Sequence, residues 1–208
     1  MAPDASDGSD GSDFFDVAAR QRAHRRFTDQ PVDDDTVLRL IEAAVRAPSA
    51  ENRQPWEFVV ARDPEVRRAI GELMAKAWDG GGRSYSEHRL SAAMLKDVDQ
   101  AMHGGVAEAP VLIVVCADLE RGHENAIGAS IFPAIQNLLL AATALGLGSA
   151  LTTIATVFRA ELQHLLALPD RVRPLAVVPI GHPARRLGPS TREPASQHMH
   201  RDGYGRAW

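Results

Sequence analysis

Two stretches of this chain carry side chains whose types and spacing could hold a ligand. The first is Arg20-Gln-Arg-Ala-His-Arg-Arg-Phe27, with four arginines in seven positions of a chain whose formal net charge is −4. A guanidinium makes paired, charge-assisted hydrogen bonds to phosphate and carboxylate oxygens, so this cluster reads as a candidate anion site. The competing reading is a solvated helix end, where cations complement the negative pole of the helix dipole. The second stretch is Ala47-Pro-Ser-Ala-Glu-Asn-Arg-Gln-Pro-Trp56. Its two prolines fix their own φ and push Ala47 and Gln54 towards extended conformations. A stiff loop of this kind would present the neutral polar groups of Ser49, Asn52 and Gln54 in fixed directions, which suits the edge of a planar heterocycle. It could equally be a rigid surface connection anchored by Trp56.

Other chemistries lack their residues. No Gly-x-Gly-x-x-Gly follows a strand-like run, and there is neither a Walker-type phosphate loop nor a Gly-x-Ser-x-Gly elbow. His198 and His200 have no carboxylate or cysteine at metal-ligand spacing. With no nucleophile, metal or acid–base pair in view, an enzyme built on this chain would rely on a bound cofactor for the reaction and supply orientation and electrostatics itself.

Composition narrows the class. At 208 residues, 45% hydrophobic and 24% charged, the chain is large enough for one globular domain with its own core. The acidic balance gives no general reason for nucleic-acid binding. The single cysteine, Cys116, rules out an internal disulfide framework, suits a reducing compartment, and reads as a buried structural thiol. No basic-then-apolar leader is seen, and no apolar stretch is expected to cross a membrane. A cytoplasmic enzyme or binding protein is the expectation.

The elements that must position the two stretches follow in order. Residues 1–13 are rich in Asp, Ser and Gly and read as a disordered acidic segment; residues 14–208 read as a single domain. A short helix opening at Phe14 is expected to run into the arginine cluster. Thr36–Arg46 has an apolar face at helical period, Glu57–Val60 reads as a strand, and Asp63-Pro64 caps a further amphipathic helix. Residues 79–105 read either as a lid over a cleft or as a disordered insertion. Val111–Cys116 has the continuous aliphatic character of a strand buried on both faces. Residues 125–147 form a long helix that is apolar almost all round, fit for the domain centre or a subunit interface. Leu151–Thr153 is short and extended, a helix follows around Phe158–Leu166, and Leu175–Ile180 is the last strand.

Taken together and in order, Arg22-Ala-His-Arg-Arg-Phe27 with Pro31-Val32, Ala47–Trp56, the long apolar helix into Leu145-Gly-Leu-Gly-Ser149, and Ile180-Gly-His-Pro183 resemble the FMN-dependent nitroreductase family. The resemblance covers nearly the whole chain from Phe14 onward. It implies an α+β fold: a three-layer sandwich with a mixed, mainly antiparallel sheet flanked by helices, in an intertwined homodimer with FMN at the interface. By the same resemblance, Arg22 and Arg25 would contact the FMN phosphate and ring edge, and Arg192 would be a second phosphate anchor with Ser190 beside it. Pro48, Ser49, Asn52 and Gln54 would line the isoalloxazine, some from the partner subunit. Leu151, Thr152 and Thr153 would set backbone against the N5 side of the ring. Relatives often carry Ser at the position of Ala23, so this residue could offer only backbone. The implied activity is reduction of FMN by NADH or NADPH, followed by reduction of a small acceptor, nitroaromatic or quinone, in a ping-pong cycle without a protein catalytic residue. Within the same fold, a reductive dehalogenase, a flavin-fragmenting enzyme or a flavin-sequestering protein would share these features. Neither nucleic acid nor membrane is an expected partner.

Overall fold

The computed structural model describes residues 14–208. The disorder expected for residues 1–13 lies outside them. Eight residues of β2 (Val111–Asp118), all buried, form the axis of the molecule. On one side β2 pairs antiparallel with β1 (Trp56–Ala61); on the other it pairs antiparallel with β4 (Val172–Gly181). The two-residue β3 (Gly148–Ser149) completes the order β1-β2-β4-β3. All named pairs are antiparallel, and the sheet becomes mixed only where Ala23 bridges Ser149 in parallel at its edge.

The continuous apolar run of β2 is explained by its two covered faces. Val111, Ile113, Val115 and Ala117 join one core with α2 (Asp34–Ala44) and α6 (Ile127–Ala144). Leu112, Val114 and Cys116 join the other core with α3 (Pro64–Ala77), contacted also by α5 (Ala92–Gln100) and α7 (Arg159–Leu165). Successive strand residues point to opposite faces, so a strand between two helical layers has no polar side to show. Each Val, Leu or Ile so buried contributes roughly 1.5–3 kcal/mol relative to exposure. The result is the expected helix–sheet–helix sandwich.

Local signals set the helix starts. Asp33 caps α2 by accepting from Thr36 N at 2.6 Å, and Asp63 caps α3 by accepting from Glu65 N and Val66 N, with Pro64 in the first turn. Residues 79–105, left between lid and disorder by the sequence, are ordered and largely helical. After α3 a wide π-type turn at Trp78–Gly82 leads into α4 (Arg83–Glu87), then α5, then a second π-type turn at Ala101–Gly105. The π-type turns fall where glycine runs interrupt the helical pattern.

Two expectations change here. The helix that opens at Phe14 reaches only the first residue of the arginine cluster: α1 (Phe14–Arg20) ends with Arg20 in its last turn. From there the chain is drawn out along the sheet edge, with His24 N donating to Ser149 O at 2.9 Å and Thr28 N to His182 O at 2.9 Å. The dipole argument therefore holds for Arg20 at the end of α1 and not for Arg25 and Arg26 further along. Secondly, the segment Glu124–Ala144, 21 residues, is long and apolar enough to cross a membrane, although no such stretch was expected. Its Ile131, Ile135, Leu138 and Ala142 stripe packs on the sheet, which is the placement of a core helix, while Ala129, Phe132 and Gln136 on the other side are exposed. The all-round apolar helix is thus covered on one side only within one chain.

Candidate functional site

The extended arginine segment lies along β3. Glycine at 148 suits this contact, because a Cβ there would stand 3.0 Å from both Cβ and Cγ of His24, closer than ordinary packing. His24 is half-buried and its Nδ1 lies 3.1 Å from the Arg22 carbonyl. Burial lowers its pKa below the usual histidine value, with the Arg22 and Arg185 charges pushing the same way. Arg22 is directed away from the sheet. Its Nη1 donates to the carbonyls of Gly188 (2.8 Å) and Pro189 (2.9 Å) and so fastens the C-terminal segment. Ser190 is drawn in beside it, its N–H donating to Ala19 O at 3.2 Å. Arg192, two residues on, is exposed and donates only to the neighbouring Thr191 carbonyl among its recorded bonds.

Arg25 points the other way, into a cavity of about 260 Å³ lined also by Trp78, Val98, Met102, Val106 and Ala150–Ile154. Its walls are apolar side chains apart from the guanidinium and the two threonines. The backbone of Arg25 is set by a close approach. Gly105 lies so near that a Cβ would meet Arg25 O at 2.8 Å and Gln100 O at 3.2 Å. The guanidinium itself is held by Asp97 of α5 at 3.2 Å. Ala23, next to it, lines a much smaller recess with Arg25, Asp97 and Arg185. The roles of Trp78, Asp97 and Val98 were not picked out from the sequence; the glycine break at residues 80–82 and the long polar excursion after it were the signals there.

Thr152 bridges Val177 of β4, donating from its N–H at 3.0 Å and accepting at its carbonyl at 2.8 Å. Its amide is therefore committed to the sheet, and the expectation of a backbone donor facing a ligand there passes to its neighbours Leu151 and Thr153. Arg25, Thr152 and Thr153 line one cavity; Arg22 and Ser190 both tie the C-terminal segment to the start of the domain, while Arg192 is not brought against either.

The proline-rich loop is elsewhere. Trp56 pairs with Ala117, whereas Ser149 pairs with Ile180 and, through it, with Val111. From Ala117 to Val111 is about 20 Å at the usual rise of about 3.3 Å per strand residue, so Pro48, Ser49, Asn52 and Gln54 stand at the opposite end of the sheet from the arginine segment. The loop is tied by its own hydrogen bonds as well as shaped by its prolines. It contains a single 3₁₀ turn (Ala50–Asn52), and Glu51, Asn52 and Gln54 have φ of 54°, 54° and 51°. Gln54 is thus left-handed rather than extended, despite the proline that follows. The conformation is sparsely populated for such residues and persists where the surroundings hold it. Here Ser49 Oγ accepts the Gln54 N–H at 3.0 Å, Gln54 Nε2 donates to Asn52 Oδ1 at 3.2 Å, and Pro55 O accepts from Asp118 N at 2.7 Å. Ser130 of α6, almost wholly buried, accepts the Ala50 N–H from below. Nothing in the local pattern of the long apolar helix singles out that serine.

No cluster of three or more His, Cys, Asp or Glu fit to hold a metal occurs among the described residues. Cys116 lies deep in the second core with its pKa pushed up to about 12 by burial, so it is not a thiolate nucleophile near neutrality.

A helix–sheet–helix sandwich with an extended arginine segment bridged to the sheet edge, an apolar cavity beside α5 and a strained loop at the far end of the sheet defines a class of α+β domain. Comparison with known proteins identifies which. The Nitroreductase family model matches residues 18–182, and the chain belongs to that family. The NADH dehydrogenase of Thermus thermophilus is 33% identical over 194 residues, spanning 86% of this chain and 90% of that protein. The FMN reductase [NAD(P)H] of Bacillus subtilis is 29% identical, over 88% of this chain and 71% of its own length. Among solved structures, a chain described as a nitroreductase in complex with FMN, from Desulfovibrio desulfuricans, superposes with a TM-score of 0.69 at 28% identity and covers 93% of this chain and 98% of that one.

Proposed function

We propose that this chain is an FMN-dependent oxidoreductase that takes a hydride from NADH or NADPH and passes reducing equivalents to a small acceptor of nitroaromatic or quinone type. The observation that carries the reading is the cavity in which Arg25 meets Thr152 and Thr153 over apolar walls. Such a donor set fits a flat heterocycle, with a fixed cation for its electron-rich edge, peptide groups along its face and side chains of Trp78, Val98 and Met102 against its apolar end. Arg22 and Arg192, with Ser190 between them in the C-terminal segment, are the proposed phosphate ligands; Ala23 contributes backbone only. When bound, FMN would accept and release the hydride, and the chain's own groups bind, orient and shield it. A donor N–H at Leu151 or Thr153 would favour the charge that builds up on reduction.

A single copy offers an incomplete site by this reading. Pro48, Ser49, Asn52 and Gln54 lie too far from Arg25 to reach the same ring within one chain, so the proposed complement comes from a second copy. The exposed stripe of α6 around Phe132, 43% exposed, is the surface proposed to pair the two protomers. A homodimer with two shared sites follows. The proposed location is the cytoplasm, a reducing compartment compatible with the one buried, unpaired thiol.

The experiment is direct. The purified protein should be yellow and release FMN on denaturation, run as a dimer by light scattering, and bleach on anaerobic addition of NADH or NADPH. Colourless protein that cannot be reconstituted with FMN would end the reading. A yellow protein that neither nicotinamide reduces would instead be a flavin-sequestering one. One that bleaches but turns over only halogenated aromatics would be a reductive dehalogenase.

A further inference from the structure

We propose that Asp97, on the lid helix α5, is a positioning residue for Arg25 and sets the net charge that the cavity presents to the flavin ring; this rests on the cofactor reading above. Its carboxylate takes two guanidinium groups, Arg25 Nη1 at 3.2 Å through Oδ2 and Arg185 Nη2 at 3.5 Å through Oδ1. The two contacts are not equivalent. The Arg25 and Asp97 side chains are 23% and 21% exposed, whereas Arg185 is 66% exposed. A largely buried pair is screened much less than one at the rim, so the Arg25 contact is the one with electrostatic weight. Met94, one turn earlier on α5, places its sulfur 3.9 Å from the same Nη1.

The lid cannot easily withdraw this carboxylate. Two residues beyond Asp97, Asp99 accepts Trp78 Nε1 at 2.9 Å and ties α5 to the end of α3, while Val98 between them lines the cavity. Beneath, Gly105 abuts the Arg25 backbone. Arg25 is therefore fixed from below by the close approach of the lid exit, and at its charged end by the lid itself.

The consequence concerns charge balance. Arginine stays protonated at all working pH, and an uncompensated guanidinium beside a flavin ring stabilises the reduced, negatively charged form over the oxidised, neutral one. A carboxylate on the far side of the same guanidinium opposes that preference. Asp97 thus trades some stabilisation of the reduced form for a fixed Arg25.

The test uses the FMN-loaded full chain, with the flavin midpoint potential measured by equilibration against a reference dye. In Asp97→Asn the acceptor oxygen is kept and the charge removed. FMN affinity should stay within about twofold, because the hydrogen bond survives. The preference for reduced over oxidised flavin should rise about tenfold, a shift of about +30 mV for a two-electron couple. Arg25→Ala should move the potential the opposite way, because it removes the cation that favours the reduced form. Asp97→Ala should weaken FMN binding about fivefold or more, the effect of releasing a charged contact, and Asn at the position should restore it. Equal potentials in wild type and Asp97→Asn, or a fall in the potential of that variant, would overturn the proposal while leaving the cofactor reading intact. A wild-type chain that binds no FMN would overturn both.

Discussion

The buried hydroxyl of Ser130, on α6, accepts the backbone N–H of Ala50 at 3.1 Å, and so joins the proline-rich loop to the helix beneath it. Ser130 Oγ also donates to Ala126 O at 3.4 Å, one turn back on its own helix. A single hydroxyl thereby serves a loop whose backbone is left-handed at three positions. Without that bond the Ala50 amide would face a methyl group. Ser130→Ala should cost about 1–2 kcal/mol, the scale of a buried donor left unsatisfied. Urea denaturation would give the loss in stability, and hydrogen exchange at Ala50 should quicken. Slow exchange at Ala50 in the variant would show that the loop holds itself without α6.

Arg22 ties the start of the domain to its end through the Gly188 and Pro189 carbonyls. Arg22→Ala should free the segment beyond Pro183, so that trypsin cuts at Arg185, Arg186 and Arg192 faster than in wild type. If Arg22 also meets the FMN phosphate, retention of the cofactor should fall by roughly 1.5–3 kcal/mol, the range for a charged hydrogen bond. Fluorescence titration of the released flavin measures it; unchanged retention in this variant and in Arg192→Ala would mean the phosphate lies elsewhere.

Two glycines of the lid region make a contrast. A Cβ at Gly105 would be forced against Arg25 O and Gln100 O, both backbone atoms that cannot swing aside, whereas at Gly80 it would meet nothing within 4 Å. Gly105→Ala should destabilise by about 1–3 kcal/mol as overpacking does. Gly80→Ala should be neutral within about 1 kcal/mol, since the lost chain entropy then works in its favour. Paired thermal melts decide the matter, and similar melting temperatures for the two variants would contradict the packing described.

The histidines give opposite pH dependences. His24 is held below its usual pKa, chiefly by burial, so the folded state resists its protonation. Its contribution to stability is present above the unfolded value near 6.5 and is lost as pH falls through the lower folded value. His103 is held above its usual pKa by the Asp99 carbonyl and then by Asp79, whose carboxylate lies 3.1 Å from Nε2. Its contribution is complete below about 6.5 and fades as pH rises through the higher folded value. Ring-proton NMR titration should find His24 titrating more acid than His103; the reverse order would refute both assignments.

Cys116 offers a check on the core. With the thiol pushed up to about 12 and fully enclosed between β2 and its neighbours, it should not react with an aromatic disulfide reagent at pH 8 in the folded protein. Labelling should appear in urea with the unfolding transition. Rapid labelling under native conditions would mean that the second core opens locally.

Much of this fold was legible as pattern. The aliphatic run Val111–Cys116 could only be a strand covered on both faces, and Asp63-Pro64 could only begin a helix, because both properties are local: alternation of faces and satisfaction of free amides. Residues 79–105 were harder, since glycine runs interrupt the helical period there and the two π-type turns on either side of the α4–α5 pair leave no sequence period of their own. The arginine cluster was recognisable as a cation site by composition. Its extended course along β3 was not, because that depends on Gly148 and Gly181, more than a hundred residues away, leaving room for it.

By itself, the sequence determined which residues could bind a phosphate-bearing, planar ligand: arginines in one stretch, stiffened neutral polar groups in another, and no nucleophile between them. Only the tertiary structure decided that these stretches stand at opposite ends of one sheet, that Gln54 is left-handed rather than extended, and that Arg25 shares its charge with Asp97. The physical reason is that side-chain chemistry and local period are written residue by residue. Strand register, backbone strain and ion pairing arise from contacts across the whole chain and exist only once both cores have closed.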